Sequence, residues 1–268
     1  MGVIFGTGYA LPVDDEPLTH ARILHAGNWL TGTASASSTA TGHFVDAPNN
    51  SLTYEKWQPT SSSGQLWDQV FSPAVTADCC CIAAHNLGDS GSTIKIQYYD
   101  GVSYVDLTAA TAITDNMPIF IIFEEATTLG LRLLITAGTS APTLGVIKYG
   151  KSLQMPRPLY GGHAPLDLSR ETTIRSSISE TGEFLGRTKL REQFSTSIKW
   201  QHITADWMRA NWKPLQQAVE SEPFFIAWRP ETFSEVGYCQ TDKSPTPSNM
   251  GIRDLMSVSM SIRGYGYE

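Results

Sequence analysis

The chain is poor in charge, poor in cysteine and free of long apolar runs, and each shortage argues against a class of protein. Charged residues make up 17% of its 268 residues, and the net charge is −7 with a pI near 5.4. No cluster of lysine and arginine forms the basic stripe that a nucleic-acid-binding surface requires, so we expect no nucleic acid partner. Hydrophobic residues reach 41%, which is enough for a packed core.

No segment has the length and apolarity of a membrane span. The longest apolar stretch, residues 117–123, is far shorter than the ~20 residues that a helical span needs. The N-terminal region carries the acidic run Asp14, Asp15 and Glu16 instead of the basic start of a secretory signal. We therefore predict neither a membrane span nor a signal peptide.

The four cysteines do not form a disulfide framework. Cys79, Cys80 and Cys81 are adjacent, so on a strand they alternate between its two faces, and Cys239 is their one distant partner. We expect reduced, small, buried side chains in a chain assembled in a reducing cytoplasm. The spacing of a metal site is also missing, and we assign no metal ligand and no cofactor.

The first half of the chain has the pattern of an antiparallel β-sandwich. Between residues 44 and 147, short β-prone runs alternate with turn signals. The pair Asp100-Gly101 tolerates positive φ and predicts a hairpin. Residues 117–123 are continuously apolar, as in a strand covered on both faces. The predicted strands are residues 51–57, 78–84, 92–99, 117–124 and 130–136.

The second half predicts an α+β arrangement. Residues 205–220 have apolar side chains at helical spacing, with Thr204 or Asp206 as the N-cap and with Pro214 expected to kink the helix or divide it. Strands are predicted around the helix. They cover residues 194–201, 224–228 and 258–262.

Proline and glycine concentrate in residues 150–165, which predicts a domain boundary there. We divide the chain into an N-terminal arm (1–40), a sandwich (41–149) and a second domain (150–268). The arm has few periodic features, and it is expected to pack on the C-terminal domain of its own chain or on another subunit.

One motif resembles an active site and is better explained as a turn. Gly88-Asp89-Ser90-Gly91 copies the sequence around the nucleophile of trypsin-like serine proteases. Only 89 residues precede Ser90, which is too few for the double barrel that supplies the base and its partner. Gly, Asp and Ser are also typical of tight turns. A hydrolase using Ser90 and His85 stays an alternative, and it would need a carboxylate near His85.

No other motif predicts catalysis. The six histidines form no metal-binding pair, and Gly6 and Gly8 lack the third glycine of a dinucleotide-binding loop. We therefore predict no enzyme and assign no catalytic residue. Aromatic rings in the sandwich are candidates for stacking on sugar, although core packing is expected for most of them. They are Trp57, Trp67, Tyr98, Tyr99 and Tyr104.

The sandwich region resembles the discoidin-like or galactose-binding-like jelly rolls. The resemblance lies in Asp78-Cys-Cys-Cys-Ile-Ala-Ala-His-Asn-Leu87, the glycine-rich turn after it, and the strand that ends in Tyr-Tyr-Asp-Gly-Val-Ser-Tyr. It covers residues 42–146 and implies a jelly-roll β-sandwich. The calcium-binding and sugar-binding loops of that family have no match here, and no binding residue is transferred.

The C-terminal region resembles the tail-tube and distal tail subunits of long-tailed bacteriophages. The resemblance lies in Pro156-Arg-Pro-Leu-Tyr160, residues 194–220, Pro223-Phe-Phe-Ile-Ala-Trp-Arg229 and Val258-Ser-Met-Ser-Ile-Arg263. It implies a belt domain that forms a hexameric ring, with tail-tube and tail-tip proteins as neighbours. It also implies location in the virion after assembly in the cytoplasm of the bacterial host.

The leading hypothesis is a structural protein of a phage tail tip, with a peripheral sandwich that contacts a host surface glycan. The alternative is a soluble, lectin-like carbohydrate-binding module. The fold class expected for both is mainly β with an α+β part, namely a jelly-roll β-sandwich plus a belt-like β-sandwich with one flanking helix.

Overall fold

A computed structural model describes residues 2–251 and 253–264 and confirms a mainly β fold with one short helical segment. Within these residues no helix is long and apolar enough to cross a membrane. The strands are β1 Val3–Phe5, β2 Arg22–Leu24, β3 Thr33–Ala36, β4 Gln65–His85, β5 Thr93–Tyr99, β6 Tyr104–Asp106, β7 Thr111–Ala112, β8 Ile119–Ala137, β9 Leu144–Gly150, β10 Leu153–Gln154, β11 Arg170–Ile178, β12 Phe184–Thr204, β13 Phe224–Ala227, β14 Val236–Thr241, β15 Ser248–Asn249 and β16 Leu255–Gly264.

Two long antiparallel strands, β4 and β8, organise the first sheet. Residues 65–70 of β4 pair with 130–135 of β8, and residues 79–82 pair with 119–122. Register shifts between the two stretches interrupt the ladder, and irregularities of this kind bend a strand pair. The sequence prediction had placed two strands where β8 is a single one.

The bend allows the two halves of β4 and β8 to face each other across one core. The outer layer contains β3, the first half of β4, the second half of β8, and β5 to β7; the middle layer contains β9, the second half of β4, the first half of β8, and β1. Apolar side chains from both layers meet between them, as in a jelly-roll sandwich. They include Trp67, Leu131 and Leu133 from the outer layer and Cys80, Ile82 and Ile121 from the middle layer.

The middle layer is buried on both faces, which explains the cysteine triplet. Cys80 points into the sandwich core, while Cys79 and Cys81 point into a second core against the other sheet. Phe225, Ala227, Val236 and Tyr238 line the far side of that second core. The expected alternation of small buried thiols is confirmed, and all four cysteines are free and buried.

The second sheet has the strand order β10-β2-β13-β14-β16-β12-β11, with β15 beside β16. Its remaining face packs on the helical segment through Trp200, Val258 and their neighbours. The helical segment consists of α1 Ala205–Trp207, a π-helical turn Met208–Trp212 and α2 Lys213–Ala218. Because Pro214 has no N–H to donate, the segment is divided there, as predicted. Thr204 provides the N-cap by accepting from Trp207 N.

The N-terminal residues take part in both sheets. Strand β1 runs parallel to β8 in the first sheet, and β3 pairs with β4. Strand β2 lies between β10 and β13 in the second sheet. The strands β2 and β10 bracket residues 25–152 in the sequence and are adjacent in space. The division at residues 41 and 149 stays a prediction.

A long hairpin extends from the edge of the second sheet. Strand β11 pairs with β12 from Arg170↔Phe194 to Ile178↔Phe184, and within the described residues the pairing of β16 with β12 extends to Phe194↔Gly264. Nearly every side chain between residues 170 and 191 is exposed. We call residues 170–193 the hairpin arm. The amino-acid pattern predicts neither β11 nor the first half of β12.

One predicted strand is wrong. Residues 51–57 form a loop that touches a strand through a single bridge, Trp57↔Leu144. Leu52 N donates to Asn50 Oδ1 at 2.7 Å, so the asparagine side chain turns the backbone locally in place of a sheet partner. Asp100-Gly101, in contrast, forms the expected hairpin turn, with Gly101 at φ 103°.

The double burial of the middle layer predicts that the cysteines are unreactive in the folded protein. Burial raises the pKa of the Cys79, Cys80 and Cys239 thiols well above the ordinary value, and that of Cys81 also rises, so the reactive thiolate is scarce. We expect no labelling by a disulfide reagent in native buffer and four labelled thiols in guanidinium chloride. Rapid labelling of the native chain would contradict this burial.

Candidate functional site

The strongest candidate for a binding surface is the loop that joins β3 to β4. Gly42, His43, Phe44, Asp46, Ala47, Asn50, Tyr54, Glu55 and Lys56 line a cleft of about 530 Å³ on this loop. Phe44 and Tyr54 are 71% and 74% exposed, which is unusual for large rings in a well-packed loop. The surface made by these nine residues is called the loop cleft.

Two buried tryptophans attach the loop to the sandwich. Trp57 Nε1 donates to Ser38 O at 3.1 Å, and the Trp57 backbone exchanges two 2.9 Å hydrogen bonds with Leu144 on β9. Trp67 Nε1 donates to Val45 O at 2.9 Å. Both indoles are fully buried, so their N–H groups need these carbonyl partners, and the pairing fixes the backbone on each side of Phe44.

A second group of contacts attaches the same loop to the neighbouring sheet. Tyr238 OH donates to Ser51 O at 2.8 Å, and the Ser51 hydroxyl donates to the Glu222 carboxylate. On the side of the first sheet, the buried Lys148 ammonium of β9 donates to Asn49 O and lies 4.5 Å from the Trp29 ring centroid. Burial lowers the pKa of Lys148 to about 8, with Glu222 opposing the shift. The loop therefore bridges the two sheets.

Within the cleft, polar groups lie beside the exposed rings. Asn50 Nδ2 donates to Glu55 Oε2 at 2.6 Å, and His43 Nδ1 donates to Lys56 O at 2.9 Å. Carboxylates accept hydrogen bonds from ligand hydroxyl groups, an ammonium donates to them, and an amide can do both. Aromatic faces pack on the apolar side of a ligand ring. Throughout the described ranges, no group of three His, Cys, Asp or Glu side chains could hold a metal ion.

A second groove of about 390 Å³ continues from the loop cleft and shares Tyr54 with it. Its walls are the loop residues 51–54 on one side and the base of the hairpin arm on the other. Arg191, Glu192 and Gln193 come from the arm, and Arg263 from β16. Tyr54 thus stands between two polar grooves.

The aromatic residues selected from the sequence are not the exposed ones. Trp57 and Trp67 are core residues, as expected for most of that set, and Tyr98 packs against the same core. Tyr99 and Tyr104 are half-buried and contact each other at 5.4 Å, with Arg132 at 3.5 Å over the Tyr104 ring. Phe44 and Tyr54 were missed.

The Gly-Asp-Ser-Gly motif forms the predicted turn. Ser90 is fully buried, and its hydroxyl donates to Leu87 O at 3.1 Å and pairs with Ser92 Oγ at 2.7 Å. His85 Nε2 donates to Met117 O at 2.8 Å, and its Nδ1 accepts from Leu87 N at 3.2 Å. A carboxylate, Asp115, does act on the pKa of His85. Both ring nitrogens, however, are engaged with backbone groups and not with Ser90.

No protein-family model and no curated protein matches the chain. Among solved structures, a pectin-binding carbohydrate-binding module has 13% identity and a TM-score of 0.39, covering 45% of this chain and 91% of its own. The family 32 carbohydrate-binding module of NanJ from C. perfringens, solved with galactose, has 12% identity and a TM-score of 0.40. The match covers 48% of this chain and 98% of that module. The family 32 carbohydrate-binding module of AlyQ, solved with 4,5-unsaturated mannuronic acid, has 16% identity and a TM-score of 0.40. The match covers 46% of this chain and 96% of that module.

Two buried histidines predict loss of stability in mild acid. Burial lowers the pKa of His85 and of His25 from 6.5 to about 4. Between these values the unfolded chain binds protons that the folded chain excludes, so stability falls as the pH decreases from about 6.5 to about 4. Each histidine contributes up to ~1.4 kcal/mol per pH unit. Urea unfolding of His85→Gln should show a shallower pH dependence than the wild type, and an equal slope would contradict this.

Proposed function

We propose that the chain is a non-enzymatic carbohydrate-binding protein that holds a sugar ring in the loop cleft. The observation that carries the proposal is the pairing of two exposed rings, Phe44 and Tyr54, with carboxylate, amide and ammonium groups in one cleft. Sugar rings have an apolar face for stacking and hydroxyl groups at their edges, and this combination matches both.

The anchoring of the loop supports binding with little loss of conformational entropy. Backbone groups at Val45, Asn49, Ser51 and Trp57 are already hydrogen-bonded to the two sheets before any ligand is present. A binding surface that is ordered in advance loses less freedom on association than a mobile loop. The exposed rings are then the parts of the cleft with most apolar surface still open to a ligand.

The polar lining of the loop cleft supports binding of a glycan with free hydroxyl groups. Asp46 and Glu55 accept hydrogen bonds, Lys56 donates them, and Asn50 can do both. A glycan with free hydroxyl groups on both sides of one apolar ring face satisfies all of them.

Truncation of either exposed ring should weaken glycan binding about fivefold or more, because the stacking contact that is lost contributes ~1 kcal/mol or more. The change is Phe44→Ala or Tyr54→Ala, and calorimetry with the best ligand from a glycan array measures it. Tyr160→Ala is the matched control, since Tyr160 is 53% exposed and outside the loop cleft. Equal affinities for all four proteins would contradict the site, and an array without any bound glycan would contradict the function.

A second candidate function is that of a structural subunit of a long-tailed phage tail tip, in which the chain forms a hexameric ring between tail-tube and tail-tip proteins of the virion. The observation that favours it is the hairpin arm. Two-stranded hairpins are marginally stable alone, and this one exposes apolar side chains and, among the described strands, an outer edge of β11 that pairs with none of them. A neighbouring subunit would cover them.

Self-association of the purified chain tests this second candidate. Light scattering across a concentration series should give a mass that is a ring-sized multiple of 29.3 kDa. Sodium chloride should lower that mass, because the arm is rich in charged side chains and salt screens their contacts. A mass that stays at one chain over the whole series would contradict it.

A further inference from the structure

We infer that the hairpin arm docks head to tail on the acidic N-terminal segment, residues 11–16, of a second copy of this chain. The inference rests on the self-association in the second candidate function and is independent of carbohydrate binding. It follows from the placement of two complementary surfaces at opposite edges of the second sheet.

The arm has the dimensions of a connector. Strand β11 is nine residues long, so the arm reaches ~30 Å at about 3.3 Å per residue. Its base is held in the sheet by the pairing of Phe194 with Gly264, and the outer edge of β11 has no partner among the strands in the described ranges. An unpaired edge of this length is suited to association with another chain.

Apolar side chains extend along the arm to its tip. The exposed fractions are 46% at Ile174, 65% at Ile178, 68% at Phe184, 65% at Leu185 and 62% at Leu190. Single exposed apolar residues are common on protein surfaces, but five on one projecting hairpin indicate an interaction surface.

The middle of the arm adds positive charge to these apolar groups. Arg175 pairs in register with Thr188, and Arg187 pairs with Ser176, so the two guanidinium groups come from adjacent rungs of the ladder and lie on opposite faces of the hairpin. Arg187 Nε contacts Ser176 Oγ at 3.4 Å, and neither arginine forms an ion pair with any residue that the structure describes. Because they lie on both faces, these side chains are available to an acidic segment that runs along the outer edge of the arm.

The complementary surface is residues 11–16. Leu11 and Val13 are 38% and 101% exposed, and the acidic Asp14, Asp15 and Glu16 follow them. Glu16 N donates to Gln154 Oε1 at 2.7 Å, which places this segment beside β10. Apolar and acidic groups here are complementary to the apolar and basic groups in the middle of the arm, between its acidic residues at the base and the tip.

The two surfaces lie at opposite ends of the strand order. Strand β10 is the first strand of the second sheet and β11 is the last, six spacings of about 4.8 Å away, or ~29 Å. The arm of one chain is therefore far from its own acidic segment and reaches that of a neighbour. Unlike surfaces that pair head to tail build rings when the rotation closes.

Charge exchange tests the contact. The self-association of the wild-type protein is the reference. The double variant Arg175→Glu/Arg187→Glu should associate about tenfold or more weakly, because like charges then meet at the contact. The double variant Asp14→Lys/Asp15→Lys should weaken association to the same extent for the same reason. An equimolar mixture of the two variants should regain association, since every arm then faces an edge of opposite charge. The variant with all four changes should also regain it.

The control is Lys199→Glu with Lys213→Glu, which makes the same change in net charge at exposed positions outside the arm and outside residues 11–16. Its association should equal that of the wild type. Association that survives both reversals, or that the mixture fails to restore, would overturn the docking contact while leaving self-association intact. A wild-type monomer would overturn both, and glycan binding is measured separately from either.

Discussion

The antiparallel pairing of β4 with β8 is the constraint on which the rest of the structure depends. Because the pair bends, its halves form two layers that share one core. The middle layer then has no solvent-exposed face, and the second sheet rests on Cys79 and Cys81. The loop cleft lies in the connection that leads into β4, so the same pair sets the position of Phe44 and Tyr54. A polar residue in place of any of residues 79–83 of β4 would disturb one of the two cores, because these side chains alternate between them.

The two proposed roles use different parts of this framework. The loop cleft is held by buried groups of both sheets, Trp67 from one and Tyr238 from the other, and presents the exposed rings of Phe44 and Tyr54. The hairpin arm joins the second sheet at its base, where Phe194 pairs with Gly264. One surface is rigid and concave, as ligand binding requires, and the other is extended and incomplete without a neighbour. The loop cleft and the base of the hairpin arm meet at the groove that Tyr54 and Arg191 both line.

Sequence periodicity predicted the parts of the fold that have one dry face. Alternation in residues 92–99 and the helical spacing of Met208, Trp212, Leu215 and Val219 each matched a buried surface. The arm escaped prediction because both of its faces are exposed, which removes any period-two contrast. The cleft escaped because residues 51–57 alternate like a strand, although Asn50 turns the backbone. Exposed Phe44 and Tyr54 differ from buried Trp57 only through tertiary contacts.

Hydrogen exchange of the full chain with and without its best array glycan tests the central claim most directly. If sugar binds in the loop cleft, added protection is confined to residues 42–56 and the adjoining groove, while Tyr99, Tyr104 and residues 170–190 of the hairpin arm exchange as before. Protection centred on the outer layer near Tyr99, or on the arm, would contradict the account.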